Sequence, residues 1–575
     1  MRLPGVRPRD IVTSPLAWIL VATAVLYAPG IGWGLPATDG WDNDGVAPRD
    51  FLVGLLETFT SGRFYTYPPV HLGILGVLTA PVTIVGLAKA SSFAPPDVVR
   101  EMLSPAYMTP IAYIARATSL AMGVGIVHAL ARIGEEIGGK SAGWCVAAVA
   151  AGNASLCYYA HTSNLDVPYL FWGCLALLAL VRAIARREPR RLRTGMILAV
   201  LAVGTKDQAY ALFVLAAPAA LVTWLALDAW ARDNARALFK EVGVALVLGI
   251  AILLVVDAVV FNPSGFRARV HFLVGSASQD FAHYSNDAIG RAFVARDTLM
   301  HFARYYPLAF APLIVAGIAI HVRRHRAIDA RARLVAGLVP LLAIVSFTIA
   351  FNCVARRTDH RFLLPQYALA AVYGGVALDA LVFGIRARAL RIAARVGASA
   401  VLALALFGCA DVDANLLLDP RYDAEAWLAE HVAEGETIEV HGLNVYLPRL
   451  PSSAHAERVG PEPIDARNPL PGVVEVKDAF ENVTARRPRW IVVNEVWVGR
   501  FLGEPSDWAL HGVVMPTTEI QNRGDHDASG FFRALVAGTR GYRRAHASQW
   551  TSKIWPRLDI HASTAREIWV FERIE

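Results

Sequence analysis

Residues Asp39 to His71 read DGWDNDGVAPRDFLVGLLETFTSGRFYTYPPVH. Four acids (Asp39, Asp42, Asp44, Asp50) and three aromatic residues (Trp41, Tyr65, Tyr67) share this loop with a Pro-Pro-Val-His turn. The apolar run immediately before it, residues 14–35, is long enough to cross a bilayer as a helix. Within the loop, residues 45–60 have the pattern of a short amphipathic helix lying at an interface. Pro68 and Pro69 fix their φ angles and remove two donors, which makes a rigid extended lead into the apolar segment 68–88. Acids are costly beside a membrane unless they are used. The stretch therefore describes a chain threaded through a bilayer, with its chemistry collected at the surface.

Working outward, the same pattern repeats. Hydrophobic residues make up 55% of the 575 and charged residues only 18%, at a mean hydropathy of +0.41. That composition excludes an ordinary soluble multidomain protein. Further apolar blocks lie near 107–131, 142–160, 167–185, 194–206, 208–228, 241–261, 300–320, 334–352, 363–385 and 396–414. Arg186 to Arg193, the run around Arg323 to Arg326, and Arg386 to Arg391 form basic loops, which belong in the cytoplasm. The net charge of +7 is thus a topology signal, with no nucleic acid as partner. Counting crossings from these loops puts both ends of 68–88 on the outer side, so this segment is expected to be re-entrant or interfacial. The result is a mainly α, polytopic membrane protein of about eleven crossings plus juxtamembrane helices. The N-terminus is expected inside, the C-terminus outside. Frequent Ala and Arg with little Lys suit a GC-rich bacterial genome and an inner or plasma membrane location.

Residues 1–414 form the membrane part, and 415–575 a soluble extracytoplasmic α/β domain. In the latter, 423–434 reads as a helix, while 437–442, 489–498 and 567–574 read as strands. It carries no catalytic motif.

The polar and acidic motifs collect on the outer side. Asp42-Asn43-Asp44 offers paired carboxylates for general-base work or for a divalent cation such as Mg or Mn; a solvated turn, or Asp44 capping the helix at 45–60, is the plainer account. Tyr67 and His71 flank the Pro-Pro turn as substrate-binding candidates, or simply start a helix. In His161-Thr162-Ser163-Asn164-Leu165-Asp166-Val167-Pro168, Asp166 can cap the following helix while still facing a site, and Asn164 lies beside it. Lys206-Asp207 is either an ion pair or an ammonium presented to a lipid phosphate. Arg356, Arg357, His360 and Arg361 stand outside against the positive-inside trend, which asks for an anionic partner there. A guanidinium matches phosphate in a bidentate way, and Arg361, next to the span, is the favoured one. Residues 262–299, with His271, Asp280, His283 and Asp287, lack metal-ligand spacing and read as an interfacial helix gating the site.

The order of these motifs resembles a family. An acidic first loop, Tyr67-Pro68-Pro69-Val70-His71, Asn164-Leu165-Asp166-Val167-Pro168, Thr205-Lys206 and Arg361-Phe362-Leu363-Leu364-Pro365 together resemble the GT-C glycosyltransferases, in their protein mannosyltransferase and aminoarabinose transferase-like branch. The resemblance covers about residues 14–415. It implies an inverting transfer of sugar from a polyprenyl-phosphate donor to a glycan, lipid or protein acceptor. It also implies a first-loop acid, Asp44 or Asp42, as catalytic base, Asp166 as a second acid, and Lys206 and Arg361, with Arg357 beside them, on the donor phosphate. Many members carry Asp-Glu in the first loop, where this chain has Asp44-Gly45. The competing class, a transporter or lipid flippase, would place ionisable groups near mid-membrane at broken helices. Here the span centres are apolar, with Asp257 the nearest exception.

Overall fold

The computed structural model describes residues 14–574, apart from 43, 93, 276–281, 465–469, 503–525, 549, 551–563 and 565. The first ten residues and Asp280 lie outside the described set. In chain order the helices are α1 (Pro15–Leu26), α2 (Asp50–Phe59), α3 (Pro69–Lys89), α4 (Pro95–Met102), α5 (Pro105–Gly138), α6 (Lys140–Ala151), α7 (Ala154–Ala160), α8 (Asp166–Ala185), α9 (Arg191–Val203) and α10 (Ala216–Leu227). They continue as α11 (Ala235–Val256), α12 (Pro263–Val274), α13 (Ala288–Met300), α14 (Phe310–Arg324), α15 (Arg331–Phe347), α16 (His360–Phe383), α17 (Arg388–Leu417) and α18 (Pro420–His431). Among the described residues, eight helical runs are long and apolar enough to cross a membrane. Two of the expected spans, 142–160 and 194–206, are not formed by a single helix of membrane-crossing length. The first breaks at Gly152 and Asn153 into α6 and α7, with Asn153 capping α7 through Leu156 N. The second is the 13-residue α9. The first helix stops at Leu26, and turns occupy 27–34.

Helix α5 packs on α6 and α8, and α16 packs on α6 and α14. Cross-bundle contact is close: a Cβ at Gly317 of α14 would strike the Tyr373 carbonyl of α16, so only glycine permits this approach. Helix α3 starts where Val70 N donates to Gly204 O at 2.8 Å, and near its end Gly86 packs against Met102 and Tyr107, where α5 begins. The start of α5 also touches the first loop, through Thr109 and Ala37. The start of α3 is thus tied to the turn after α9 and its end to the start of α5, and the helix is long enough to span. At the far end of α5 Glu135, Lys140, Arg186, Arg324 and Arg333 line one cavity of about 500 Å³, which gathers two of the basic loops there.

The C-terminal region adds β1 (Thr437–His441), β2 (His455–Gly460), β3 (Val473–Lys477), β4 (Trp490–Asn494), α19 (Glu495–Leu502), α20 (His526–Val536), β5 (Tyr542–Ala547) and β6 (Ile568–Arg573). The sheet order is β3-β2-β1-β4-β6-β5. The first four strands are parallel, β6 runs antiparallel to β4, and β5 antiparallel to β6. Every residue of β4 is buried. Ile491 and Val493 face the Phe480, Phe531 and Phe532 cluster, while Trp490 and Val492 face Ala424 and Leu428 of α18. A strand covered on both faces reads as a continuous apolar run, which is why it was legible. The expected strand 489–498 is half helix: Glu495 to Leu502 turn into α19, with Asn494 Oδ1 accepting from Val496 N at 2.8 Å. Strands β2 and β5 carry mostly polar or charged residues and gave no apolar signal, and the five-residue β3 was not read as a strand.

Candidate functional site

The two first-loop aspartates have different surroundings. Asp42 is 6% exposed. Its Oδ2 accepts from Ser163 N and Ser163 Oγ, both at 2.7 Å, and its Oδ1 faces Arg116 Nη2 at 3.2 Å. Ser163 Oγ also lies 3.0 Å from Ala47 O and accepts from Ala47 N at 3.1 Å. Asp42 is thus the peg that fixes the first loop to the turn before α8. This packing accounts for Gly45: a Cβ there would collide with the Asp42 carboxylate and lie 2.7 Å from Ser163 Oγ. Arg116 comes from α5 and is buried. Its location inside an apolar helix was the available signal for it, since intramembrane charges are rarely idle.

Asp44 does not cap a helix, because α2 begins only at Asp50. It sits with φ at +55°, a left-handed backbone that Asp tolerates better than bulkier residues. It is exposed and pairs with the Arg361 guanidinium. Arg361 stands in the first turn of α16, with its guanidinium 4.9 Å from the Phe362 ring centroid. The turn before it is set by Asn352, which donates to Arg357 O and Phe362 O, each at 3.0 Å, and by Arg356 in a left-handed conformation. Arg357 is held by Asp359 at 2.8 Å and lies over Phe362. His360 packs edge-on against His301.

Asp166 occupies the first turn of α8, and Leu165, not Asp166, holds the cap position. Asn164 Oδ1 accepts from Asp166 N at 3.0 Å. The fully buried Asp166 carboxylate takes Lys206 Nζ at 2.8 and 2.9 Å and Gln208 Nε2 at 3.1 Å. Gln208, which the motifs did not flag, also donates to Tyr169 at 2.8 Å. The half-buried Tyr67 phenol is pushed up to about 12 by burial and by Asp166, Asp50 and Asp207, so it stays a neutral donor. His71 is buried at the start of α3, with neither ring nitrogen hydrogen-bonded among the described residues. Lys206 is braced from behind, where Arg269 of α12 joins Asp257 at 3.0 Å and also Asp207. Asn262 donates to Arg63 O at 2.8 Å. Helix α12 therefore clamps the first loop to the Lys206 turn.

The C-terminal domain closes the site. Asn444, just past β1, donates to Asp39 Oδ2 at 3.0 Å. Trp33 Nε1 donates to Asp419 at 2.9 Å, and Arg421 lies 4.0 Å over the Trp41 ring. Between loop and domain lies a cavity of about 400 Å³, with Asp39, Asp42, Asp44 and Asp50 on one side and Asn444, Arg458, Glu462, Phe480 and Trp497 on the other. None of the domain's cavity residues was singled out in the sequence, because they sit at strand ends and in the short turns and helix starts that follow, with no local pattern.

As a cation site, Asp42 and Asp44 fit poorly: each already faces a guanidinium, and Asp42 has both oxygens engaged. A second group, Cys157, His161 and Asp413, has its donor atoms within 4.8 Å of one another. Its His161 nitrogens point at two carbonyl oxygens, Cys157 O at 2.7 Å and Pro29 O at 2.6 Å. Each ring nitrogen thus already faces a carbonyl oxygen.

No family model matches the chain, and no curated protein matches it. Among solved structures, ArnT from Cupriavidus metallidurans bound to undecaprenyl phosphate is 14% identical, with 98% of this chain and 98% of that one covered, at a TM-score of 0.48. AglB from Archaeoglobus fulgidus, in complex with an inhibitory peptide and a dolichol-phosphate, is 12% identical over 97% and 88% of the two chains, at 0.43. Both neighbours are GT-C superfamily proteins. At these identities and scores the likeness assigns neither activity nor substrate.

Proposed function

We propose that this chain is an integral-membrane glycosyltransferase that moves a sugar from a polyprenyl-phosphate donor to an acceptor on the extracytoplasmic face. One observation carries the reading: Asp44 is an exposed first-loop carboxylate that meets Arg361 across the site and opens into a cavity. Asp42, its rival, is consumed in holding the loop. Asp44 takes the proton from an acceptor hydroxyl or amine as that atom attacks the anomeric carbon. The new bond forms on one side of the carbon while the carbon–oxygen bond to phosphate breaks on the other. Inversion follows, and polyprenyl phosphate leaves with the bonding pair. Arg361 stabilises the leaving phosphate, its guanidinium exchanging Asp44 for the donor. Lys206, with two N–H groups on Asp166, is assigned the same charge through its third. Asp166 orients Lys206, and Tyr67, His71, Asn164 and His360 are assigned to substrate binding. No step is assigned to a metal.

The test uses purified protein in detergent with a labelled synthetic prenyl-phosphate sugar and a membrane extract as acceptor source. Label should pass to the extract without any membrane gradient, and Asp44→Asn should abolish transfer. Undiminished transfer by both Asp44→Asn and Asp42→Asn would sink the assignment, and gradient-dependent movement of intact donor would favour a transporter.

A further inference from the structure

Lys206 and Arg361, the two cations assigned above to the donor phosphate, lie far apart in the chain, in the turn after α9 and the first turn of α16. What the two turns share is the end of α15. That helix runs on from Phe347 into a π-helical turn, Thr348–Asn352. Such turns are rare and recur at functional sites. Three successive residues of this one reach in two directions. Ala350 O accepts from Tyr210 Oη at 2.7 Å, which ties it to the short helical turn Asp207–Leu212 that follows Lys206. The Phe351 ring packs edge-on against Phe362, with 5.0 Å between centroids. Asn352 Nδ2 donates to Arg357 O and Phe362 O. Phe362 is the residue over whose ring both Arg357 and Arg361 lie. One turn earlier Ser346 Oγ donates to Ala211 O at 2.6 Å and accepts from Leu215 N at 3.1 Å, a second tie to the Lys206 side.

The direction of the Asn352 amide is fixed by its partners. Carbonyl oxygens only accept, so its NH₂ faces Arg357 O and Phe362 O, and its Oδ1 faces the other way. There it accepts from Gln366 Nε2, in the second turn of α16, at 2.6 Å. Asn352 and Gln366 are both buried, and an amide pair inside apolar helices is costly unless it is used. The two cations differ in what holds them. The Lys206 ammonium is fixed by Asp166, which Gln208 also holds. The Arg361 side chain exchanges Asp44 for the donor, so the backbone beneath it has to stay still while its guanidinium moves.

We propose that Tyr210, Asn352 and Gln366 are positioning residues, and that the π turn between them sets Lys206 and Arg361 as one phosphate-holding unit. The inference rests on the donor reading above and adds which residues keep its two cations in register. The experiment measures binding of farnesyl phosphate and of farnesol to full-length protein in nanodiscs. The phosphate should bind more tightly than the alcohol. Tyr210→Phe removes one hydroxyl from an exposed side chain and should weaken the phosphate about threefold, while Asn352→Leu and Gln366→Leu should weaken it about tenfold, each with farnesol binding unchanged. In an Arg361→Gln background all three substitutions should lose their effect, because no register between two cations is left to disturb. A packing role alone would lower the thermal midpoint and weaken both probes alike, whatever stands at position 361. Tyr210→Phe keeps the test open if a buried variant does not fold. Equal binding of the two probes by the native protein, unchanged phosphate affinity in Tyr210→Phe, or the same loss in the Arg361→Gln background would overturn the proposal. The two readings fail separately. Transfer that depends on Asp44, with phosphate binding indifferent to Tyr210→Phe and Asn352→Leu, removes the positioning and keeps the reaction. Phosphate binding that responds to both, in a protein that transfers no sugar, does the reverse.

Discussion

Asp42 and Asp44 share one loop and one side-chain chemistry, yet substituting them should give opposite phenotypes. Asp44→Asn removes the proposed base and should lower kcat by about 10²–10⁴-fold with the melting midpoint unmoved, as read by single-turnover transfer and thermal unfolding. Asp42→Asn puts an amide NH₂ among the Ser163 and Arg116 donors, so its first effect should be on stability. Arg116→Met strands the Asp42 carboxylate in a buried site and should cost about 3–5 kcal/mol in denaturant unfolding. Which aspartate does which job was not legible in the sequence, because Asp-x-Asp spacing says nothing about the third partner. Asp42 is decided by Ser163 and Arg116, and neither lies near it in the chain. Gly45 did carry the information, as the residue that lets the Asp42 carboxylate come close, but only the packing reveals that meaning.

At the scale of elements, helix α12 and strand β1 each depend on one buried charge group. Arg269 ties α12 to Asp207 and Asp257. In Arg269→Met both acids lose their partner, and α12 should lose hydrogen-exchange protection before the bundle does, by about 3–5 kcal/mol. Residues 262–299 read in the sequence as an interfacial helix gating the site, and the helix at its start is held by the polar clamp at Asn262 and Arg269. In β1, burial raises the cost of ionising Glu439, but Arg486 and His441 outweigh it and hold the carboxyl down at about 2, from an ordinary 4.5. A depressed carboxyl stabilises the fold fully above its ordinary range and loses that contribution as pH falls toward 2. The shift corresponds to about 3 kcal/mol. Amide protection of β1 in the full-length protein should therefore decline between about pH 5 and 2, and Glu439→Gln should flatten that decline. The apolar helices and the buried strand β4 were readable because burial imposes a pattern on consecutive residues. Strands β2 and β5 were not, because polar side chains on short strands leave no such period.

For the molecule as a whole, the membrane bundle and the sheet domain work as one unit at the site. Arg421 bridges Asp419, Val445 and the Trp33 and Trp41 rings, and Arg449 reaches Pro36 O from the domain side. Arg421→Ala should uncouple the two parts, giving separate unfolding transitions in place of a concerted one, as calorimetry would show. The contacts that set the acidic loop also have an order in time. Synthesis runs from the N-terminus, and helices insert as they emerge. Asp42 meets Arg116 first and Ser163 next, Asp44 waits for Arg361, and Asp39 waits for Asn444, 405 residues downstream. While the chain is growing, the loop is therefore pegged early but still lacks Arg361 and its roof. On the transfer reading a nascent chain holds no competent site until its last domain folds, and a stop codon between residues 418 and 444 should release an inserted but inert bundle.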